Sequence, residues 1–163
     1  MRKIICSFPR QTGSYLFDQK YRAGKIELEL VPQGNLAERI RAAGAGVGAF
    51  FTPTGYGTPL AEGKEVRELD GRLQVLEYPI KADFALIKCH RCDRMGNLLY
   101  RKTARNFGPI MATAAETTIV QTDGLVGIGD LDPEAIVTQS IYVNRLVEIP
   151  RLSRAQQPAQ KEA

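Results

Sequence analysis

Nowhere in these 163 residues does an apolar run approach the roughly 20 residues of a membrane-spanning helix. The N-terminal stretch "MRKIICSFPR" is apolar only briefly before Pro9, so a cytoplasmic protein is the expectation. Clustered bases interleaved with aromatics are missing as well. The formal charge is +4, but from Pro150 onward Arg151, Arg154 and Lys161 against Glu162 carry +2 of it, leaving +2 for the rest. A nucleic-acid surface is therefore not indicated.

Metal ligands are scarce: the chain has one histidine and three cysteines. Cys89 and Cys92 form a Cys-x-x-Cys with His90 inside it, but zinc takes four ligands. Only Cys6 remains to complete a set, and His90 sits directly beside Cys89, where both side chains rarely reach one tetrahedral centre. A redox pair would want a helix N-terminus, whereas "DFALIKC" reads as a strand and "DRMGN" as a turn. Free thiols, with no metal and no resident cofactor, are the expectation.

Also missing is the third glycine of a dinucleotide loop. "GAGVGA", from Gly44 to Ala49, looks like part of that fingerprint, but the order is reversed. The fingerprint needs a strand, then glycines, then a helix whose N-terminus meets the pyrophosphate. Here Asn35 reads as an N-cap with Glu38 in capping-box position, Leu36, Ile40 and Ala43 form one helical stripe, and Gly44 is the C-terminal cap. The glycines leave a helix instead of opening one.

What is present alternates. "RKIICS" is a short apolar strand; "SYLFDQKYRAG" is a helix with Ser14 as cap and Gly24 as stop; "KIELELV" is a strand of period two. "RLQVLEYPI" and "ADFALIKC" add strands, the second continuous enough to be buried on both faces. "NLLYRK" reads as a short strand, "PIMATAAE" as a helix begun by Pro109, and "TTIVQT" and "SIYVNRLVEI" as further strands. The order predicts an α/β fold with an open, mainly parallel and partly mixed sheet and flanking helices, over one domain from 1 to 149. Residues 150–163 lack periodicity and read as a disordered tail. Residue 3 already lies inside an apolar strand, which implies either an edge strand or a missing preceding segment.

"VPQGNLAERIRAAGAG", "AFFTPTGYGT", "AEGKEVRELDGR", "ADFALIK", "DRMGNLLYRKTARNFGPIMATAA" and "GDLDPEAIVTQSIYVNRLV" together resemble the alpha chain of the two-component 3-oxoacid coenzyme A-transferases. The leading "CSFPRQ" and "PQGNLAERIRAAGAGVGAFF" are closer to the 3-oxoadipate branch than to the acetoacetate or succinate branches. The family's leading segment, with a Gly-Gly-Phe loop and an Asn-Asn turn, has no counterpart here, so the fold is expected to be N-terminally truncated.

The resemblance implies ping-pong transfer of coenzyme A from succinyl-coenzyme A to a 3-oxoacid, by way of a glutamyl thioester. The thioester is a substrate, not a cofactor. The glutamate belongs to a Ser-Glu-Asn-Gly motif of the partner B subunit; that motif is absent here, and Glu38, Glu62, Glu65 and Glu68 read as cap or surface residues. By resemblance Gln33 faces the reactive glutamate, where its NH₂ can donate to a developing oxyanion. Gly34 would let the backbone approach, while Phe50, Phe51, Thr54 and Tyr56 would shape the acyl pocket. Arg105, with Arg101 and Lys102, would meet a distal carboxylate or else pair within the fold or across a subunit boundary. Two readings stay open: a component of a hetero-oligomeric transferase, of the 3-oxoadipate or the acetoacetate/succinate type, or a truncated, non-catalytic remnant that at most binds a partner.

Overall fold

A computed structural model describes residues 1–10, 13 and 15–149. Two compact units make up the chain, Met1–Lys81 and a second that begins at Ala82. Ser14 and the tail from Pro150 lie outside the described residues.

The first unit opens with β1 (Lys3–Cys6), α1 (Tyr15–Arg22), β2 (Glu27–Leu30) and α2 (Gln33–Gly44), in the alternation expected from the sequence. β1 and β2 pair in parallel, Lys3 opposite Glu27 and Cys6 opposite Leu30. Parallel neighbours need a crossover, and α1 supplies it. α2 corrects the expected cap. It starts at Gln33 with Pro32 as N-cap and no side-chain cap bond, so Asn35 is helical and buried. Glu38 turns along the helix to Arg41 at 2.6 Å instead of back to a cap. Gly44 is the last helical residue, and the left-handed turn falls on Gly46 at φ 70°.

Three antiparallel strands complete this unit: β3 (Phe50–Thr52), β4 (Val66–Leu69) and β5 (Arg72–Glu77), in the order β3-β5-β4. Of these the sequence pattern predicts only β5. Asp70 and Gly71, at φ 52° and 71°, link β4 to β5. Two positive φ values in a two-residue loop match the twist of the flanking strands.

The second unit contains β6 (Ala82–Cys89), β7 (Arg91–Asp93), β8 (Leu98–Leu99), α3 (Gly108–Thr113), β9 (Ala115–Thr122), β10 (Leu125–Val126) and β11 (Arg145–Glu148). One sheet, β11-β9-β6, is parallel throughout; the other, β10-β7-β8, is mixed. Four of the seven strand pairings among the described residues are parallel, so the mainly parallel, partly mixed α/β character holds. Two expected strands shrink. "NLLYRK" keeps only β8 before a 3-10 turn over Lys102–Arg105, and "SIYVNRLVEI" begins with another 3-10 turn over Ser140–Tyr142.

One face of the β11-β9-β6 sheet holds the core. Ala85, Ile87, Cys89 and Val120 pack with Cys92, Leu98 and Ala112 of α3, and Val120 and Leu98 lose all contact with solvent. Burying each such side chain contributes about 1.5–3 kcal/mol. The opposite face corrects the expectation that β6 is buried on both sides. Phe84 and Leu86 are 64% and 72% exposed there. Alternate residues of a strand point to opposite faces, and among the described residues only one face of β6 is covered.

Between β7 and β8 the chain turns on Asp93. Its Oδ1 accepts from the backbone N–H groups of Met95, Gly96 and Asn97 at 2.9–3.0 Å, and its Oδ2 from the Asn97 amide at 2.7 Å. Burial pushes this carboxyl upward, but the bonds from Asn97, Gly96 and Met95 outweigh it and hold the group below its usual range.

Candidate functional site

In open α/β sheets ligands meet the carboxyl ends of parallel strands. β1 and β2 both run out at one such edge, β1 into Ser7 and β2 into Val31, Pro32 and Gln33. The Ser7 hydroxyl donates to Gln33 Oε1. That bond occupies the amide oxygen, and among the described residues the NH₂ makes no hydrogen bond. Gln33 is exposed and sits in the first turn of α2, whose N–H groups lack a side-chain cap. A Cβ on Gly34 would meet nothing within 4 Å, so the glycine leaves open space beside the amide. The arrangement offers neutral donors and a helix N-terminus to a developing negative charge.

Behind that edge lies a charge network that the sequence did not reveal. Glu77, at the end of β5, is 3% exposed. Its Oε1 accepts from Lys64 Nζ at 2.8 Å and from the Asn35 amide at 3.3 Å, and its Oε2 lies 3.8 Å from Arg39 Nε. Arg39 also donates to the Tyr78 carbonyl and to Glu29, both at 2.7 Å. Glu29 in turn holds Lys3 at 2.8 Å. Burial pushes the Glu29 carboxyl upward, yet the bonds from Lys3 and Arg39 leave it below the usual range. The same Asn35 amide donates to the Thr54 carbonyl at 3.2 Å, so one buried side chain ties α2 to β5 and to the loop after β3.

That loop and strand divide the expected acyl-pocket residues. Phe50 stands opposite Glu77 and Phe51 opposite Leu76 in the β3-β5 ladder, so the two rings point to opposite faces. Arg67 lies over the Phe51 ring, 5.2 Å from its centre. Only Phe50 shares the Glu77 face. Thr54 and Tyr56 lie in the exposed Thr-Pro-Thr-Gly-Tyr-Gly loop beyond.

Arg105 belongs to the second unit, at the end of the 3-10 turn over Lys102–Arg105. Arg101, Lys102 and Arg105 make no ion pair among the described residues. Pairing within the described fold, one of the roles expected for them, is not what they do. A cavity of about 400 Å³ lies beside them, lined by Lys88, Cys89, His90, Tyr100, Arg101, Lys102, Thr103, Ala104 and Asp123; Arg105 is not among its walls. Cys89 and Cys92 are free and buried, and burial pushes the Cys89 thiol up to about 12. A thiol so shifted is a poor nucleophile and a poor metal ligand near neutral pH.

Known proteins resemble this chain in sequence and in fold. The family model for coenzyme A transferase matches residues 1–149. Over 149 residues the chain is 69% identical to the A subunit of the 3-oxoadipate CoA-transferase of Pseudomonas putida, covering 91% of this chain and 64% of that one. Over 147 residues it is 50% identical to the A subunit of the succinyl-CoA:3-ketoacid coenzyme A transferase of Xanthomonas campestris, covering 90% of this chain and 60% of the relative. The chain thus spans somewhat less than two thirds of these relatives. Among solved structures, glutaconate coenzyme A-transferase from Acidaminococcus fermentans superposes with a TM-score of 0.80 at 18% identity, over 91% of this chain and 55% of that one, a likeness of fold. Among the described residues no helix is long and apolar enough to cross a membrane. With a family model matched from its first residue through β11, this chain belongs to the coenzyme A transferase family.

Proposed function

We propose that this chain forms part of the alpha chain of a heteromeric coenzyme A-transferase that moves coenzyme A from succinyl-coenzyme A to a 3-oxoacid, 3-oxoadipate by preference. The observation that carries the reading is the 69% identity to the A subunit of a 3-oxoadipate CoA-transferase. In this proposal a B subunit supplies the glutamate that attacks the thioester carbonyl and displaces the coenzyme A thiolate. The thiolate then attacks the glutamyl carbonyl of the resulting acyl-glutamyl anhydride, giving a glutamyl thioester and releasing succinate, and the acceptor acid repeats the exchange in reverse. Gln33 would donate its free NH₂ to the oxyanion formed at each attack. The Ser7 bond to Gln33 Oε1 supports that role, because it engages the amide's acceptor oxygen. Phe50, Tyr56 and Thr54 would border the acyl chain. A cytoplasmic setting suits two buried free thiols.

Coexpression with a B subunit, with and without the leading segment found in longer relatives, tests this reading. Purified complexes are given succinyl-coenzyme A and either 3-oxoadipate or acetoacetate, and the new thioester is measured. Turnover with 3-oxoadipate, and none from the chain alone, is the expected result. A preference for acetoacetate would move the chain to the other branch of the family. A stable complex that transfers nothing to either acid, leading segment included, would leave it as a binding remnant.

A further inference from the structure

We propose that Asn35 is a positioning residue for acid selectivity: its buried amide ties the Thr-Pro-Thr-Gly-Tyr-Gly loop, residues 52–57, to the first turn of α2. The inference rests on the transferase reading above and adds to it a determinant of which acid is accepted.

Both donors of one NH₂ are engaged in the tie. Asn35 is 3% exposed, and its Nδ2 donates to Glu77 Oε1 at 3.3 Å and to the Thr54 carbonyl at 3.2 Å. An amide nitrogen carries two hydrogens, so neither is left over. Glu77 is itself held by Lys64 at 2.8 Å, which fixes the anchor on that side. The Thr54 backbone is thereby placed beside the turn of α2 that begins at Gln33.

The loop, by contrast, is braced only within itself. The Tyr56 N–H donates to the Pro53 carbonyl at 3.3 Å, and Thr58 donates to the Gly55 carbonyl through its N–H at 3.2 Å and its hydroxyl at 2.7 Å. The Thr54 N–H reaches no farther than Thr52 Oγ1. Among the described residues, the Asn35 bond is therefore the one hydrogen bond from residues 53–57 to a distant part of the chain. Interlocked turns make a loop that moves as a body, and one external bond sets its angle.

Selectivity follows from what the loop carries. Thr54 and Tyr56 stand on it with their side chains exposed. 3-Oxoadipate has a longer chain than acetoacetate and ends in a second carboxylate, so it extends farther along the pocket wall. Transfer to the longer acid should depend more on the angle of the loop than transfer to the shorter one.

The test compares kcat/KM for 3-oxoadipate with kcat/KM for acetoacetate in complexes of this chain with a B subunit. Asn35→Leu, which keeps the bulk and removes both donors, should lower the ratio of the two about tenfold, the scale of one altered pocket contact. Asn35→Ser, smaller and still carrying one donor, should lower it less. Loss of folded protein scales both values alike and leaves the ratio unmoved, so the ratio separates positioning from stability. A second readout needs no turnover. The chain has no tryptophan, so Tyr56→Trp puts a single fluorophore on the loop of the full chain, and adding Asn35→Leu should lower its anisotropy. A parent complex that transfers to neither acid would overturn the transferase reading and this inference with it. An active parent whose ratio stays within about twofold in a folded Asn35 variant, or an anisotropy that does not move, would overturn this inference alone. Failure of both Asn35 variants to fold would make the residue scaffold and overturn it too.

Discussion

Glu77 in the first unit and the Arg101–Lys102 pair in the second handle charge in opposite ways. The buried carboxylate is met by Lys64, Asn35 and the nearby Arg39, and Arg39 passes the pairing on to Glu29 and Lys3. The two cations of the second unit line open space and meet no acid of their own among the described residues. A buried charge must be matched or the fold loses several kcal/mol, so the first arrangement is scaffold. An unmatched charge at a cavity wall can persist because water reaches it. Gln33 belongs with the unmatched groups, since its oxygen is bonded to Ser7 and, among the described residues, its donors have no partner. Satisfied charges should therefore govern stability, and unsatisfied groups should matter little to it.

Substituting Gln33 puts that division to its hardest test. In an active heteromer, Gln33→Ala should lower kcat by about 10²–10³-fold, roughly 3–4 kcal/mol, as loss of an oxyanion donor does. The thermal midpoint should barely move, because an exposed amide contributes only about 0.5 kcal/mol to the fold. A kcat within about twofold of the parent would make Gln33 an ordinary turn residue.

Glu77→Ala should show the reverse pattern. It strands Lys64, Arg39 and the Asn35 amide, and chemical denaturation should report a loss of about 3 kcal/mol. The lower end of the usual range is expected because Lys64 keeps access to water. Unchanged stability would mean that the network is not scaffold.

A smaller effect, about 2 kcal/mol, is expected for Asp93→Ala, which removes the acceptor for three backbone N–H groups. The sign with pH follows from the lowered folded-state value. The unfolded carboxyl protonates first as pH falls, so the contribution is complete above about pH 4 and fades as pH drops toward the folded value. Urea midpoints of parent and Asp93→Ala should therefore converge in acid; a gap that widens there would reverse the assignment.

Lys102→Gly should do least to the fold. Relief of the φ of 53° at Lys102 and the greater freedom of glycine in the unfolded chain oppose each other at about 1 kcal/mol each. A net change within about 0.5 kcal/mol is expected in thermal unfolding. A large loss of stability would mean that the lysine is scaffold after all and would erase the contrast between the two units.

Some of the fold was readable because it depends on local pattern. The strand-helix-strand-helix start, the strands at β6 and β9, and the helix begun by Pro109 follow from periodicity and from proline at a first turn. β4 carried a readable signal too, because Asp70-Gly71 between two runs marks a hairpin, but its own residues, Val66 to Leu69, are too polar to look like a strand. The cap at Asn35 failed for a different reason. Nearby Pro32 starts the helix three residues earlier, and the asparagine is drawn inward by Glu77, forty-two positions away in sequence.

The sequence by itself determined the family, the alternation of elements and the identity of Gln33 as a candidate, since ordered blocks of residue types survive in one dimension. Tertiary structure alone decided that Ser7 engages the Gln33 amide oxygen, that Glu77 is buried among cations, that Phe50 and Phe51 face apart, and that Lys88, His90, Arg101 and Lys102 surround one cavity. Each of these depends on side chains brought within a few ångströms across long stretches of chain. Periodicity reports which face of an element is apolar, but only packing fixes which element that face meets and which charges are left without a partner.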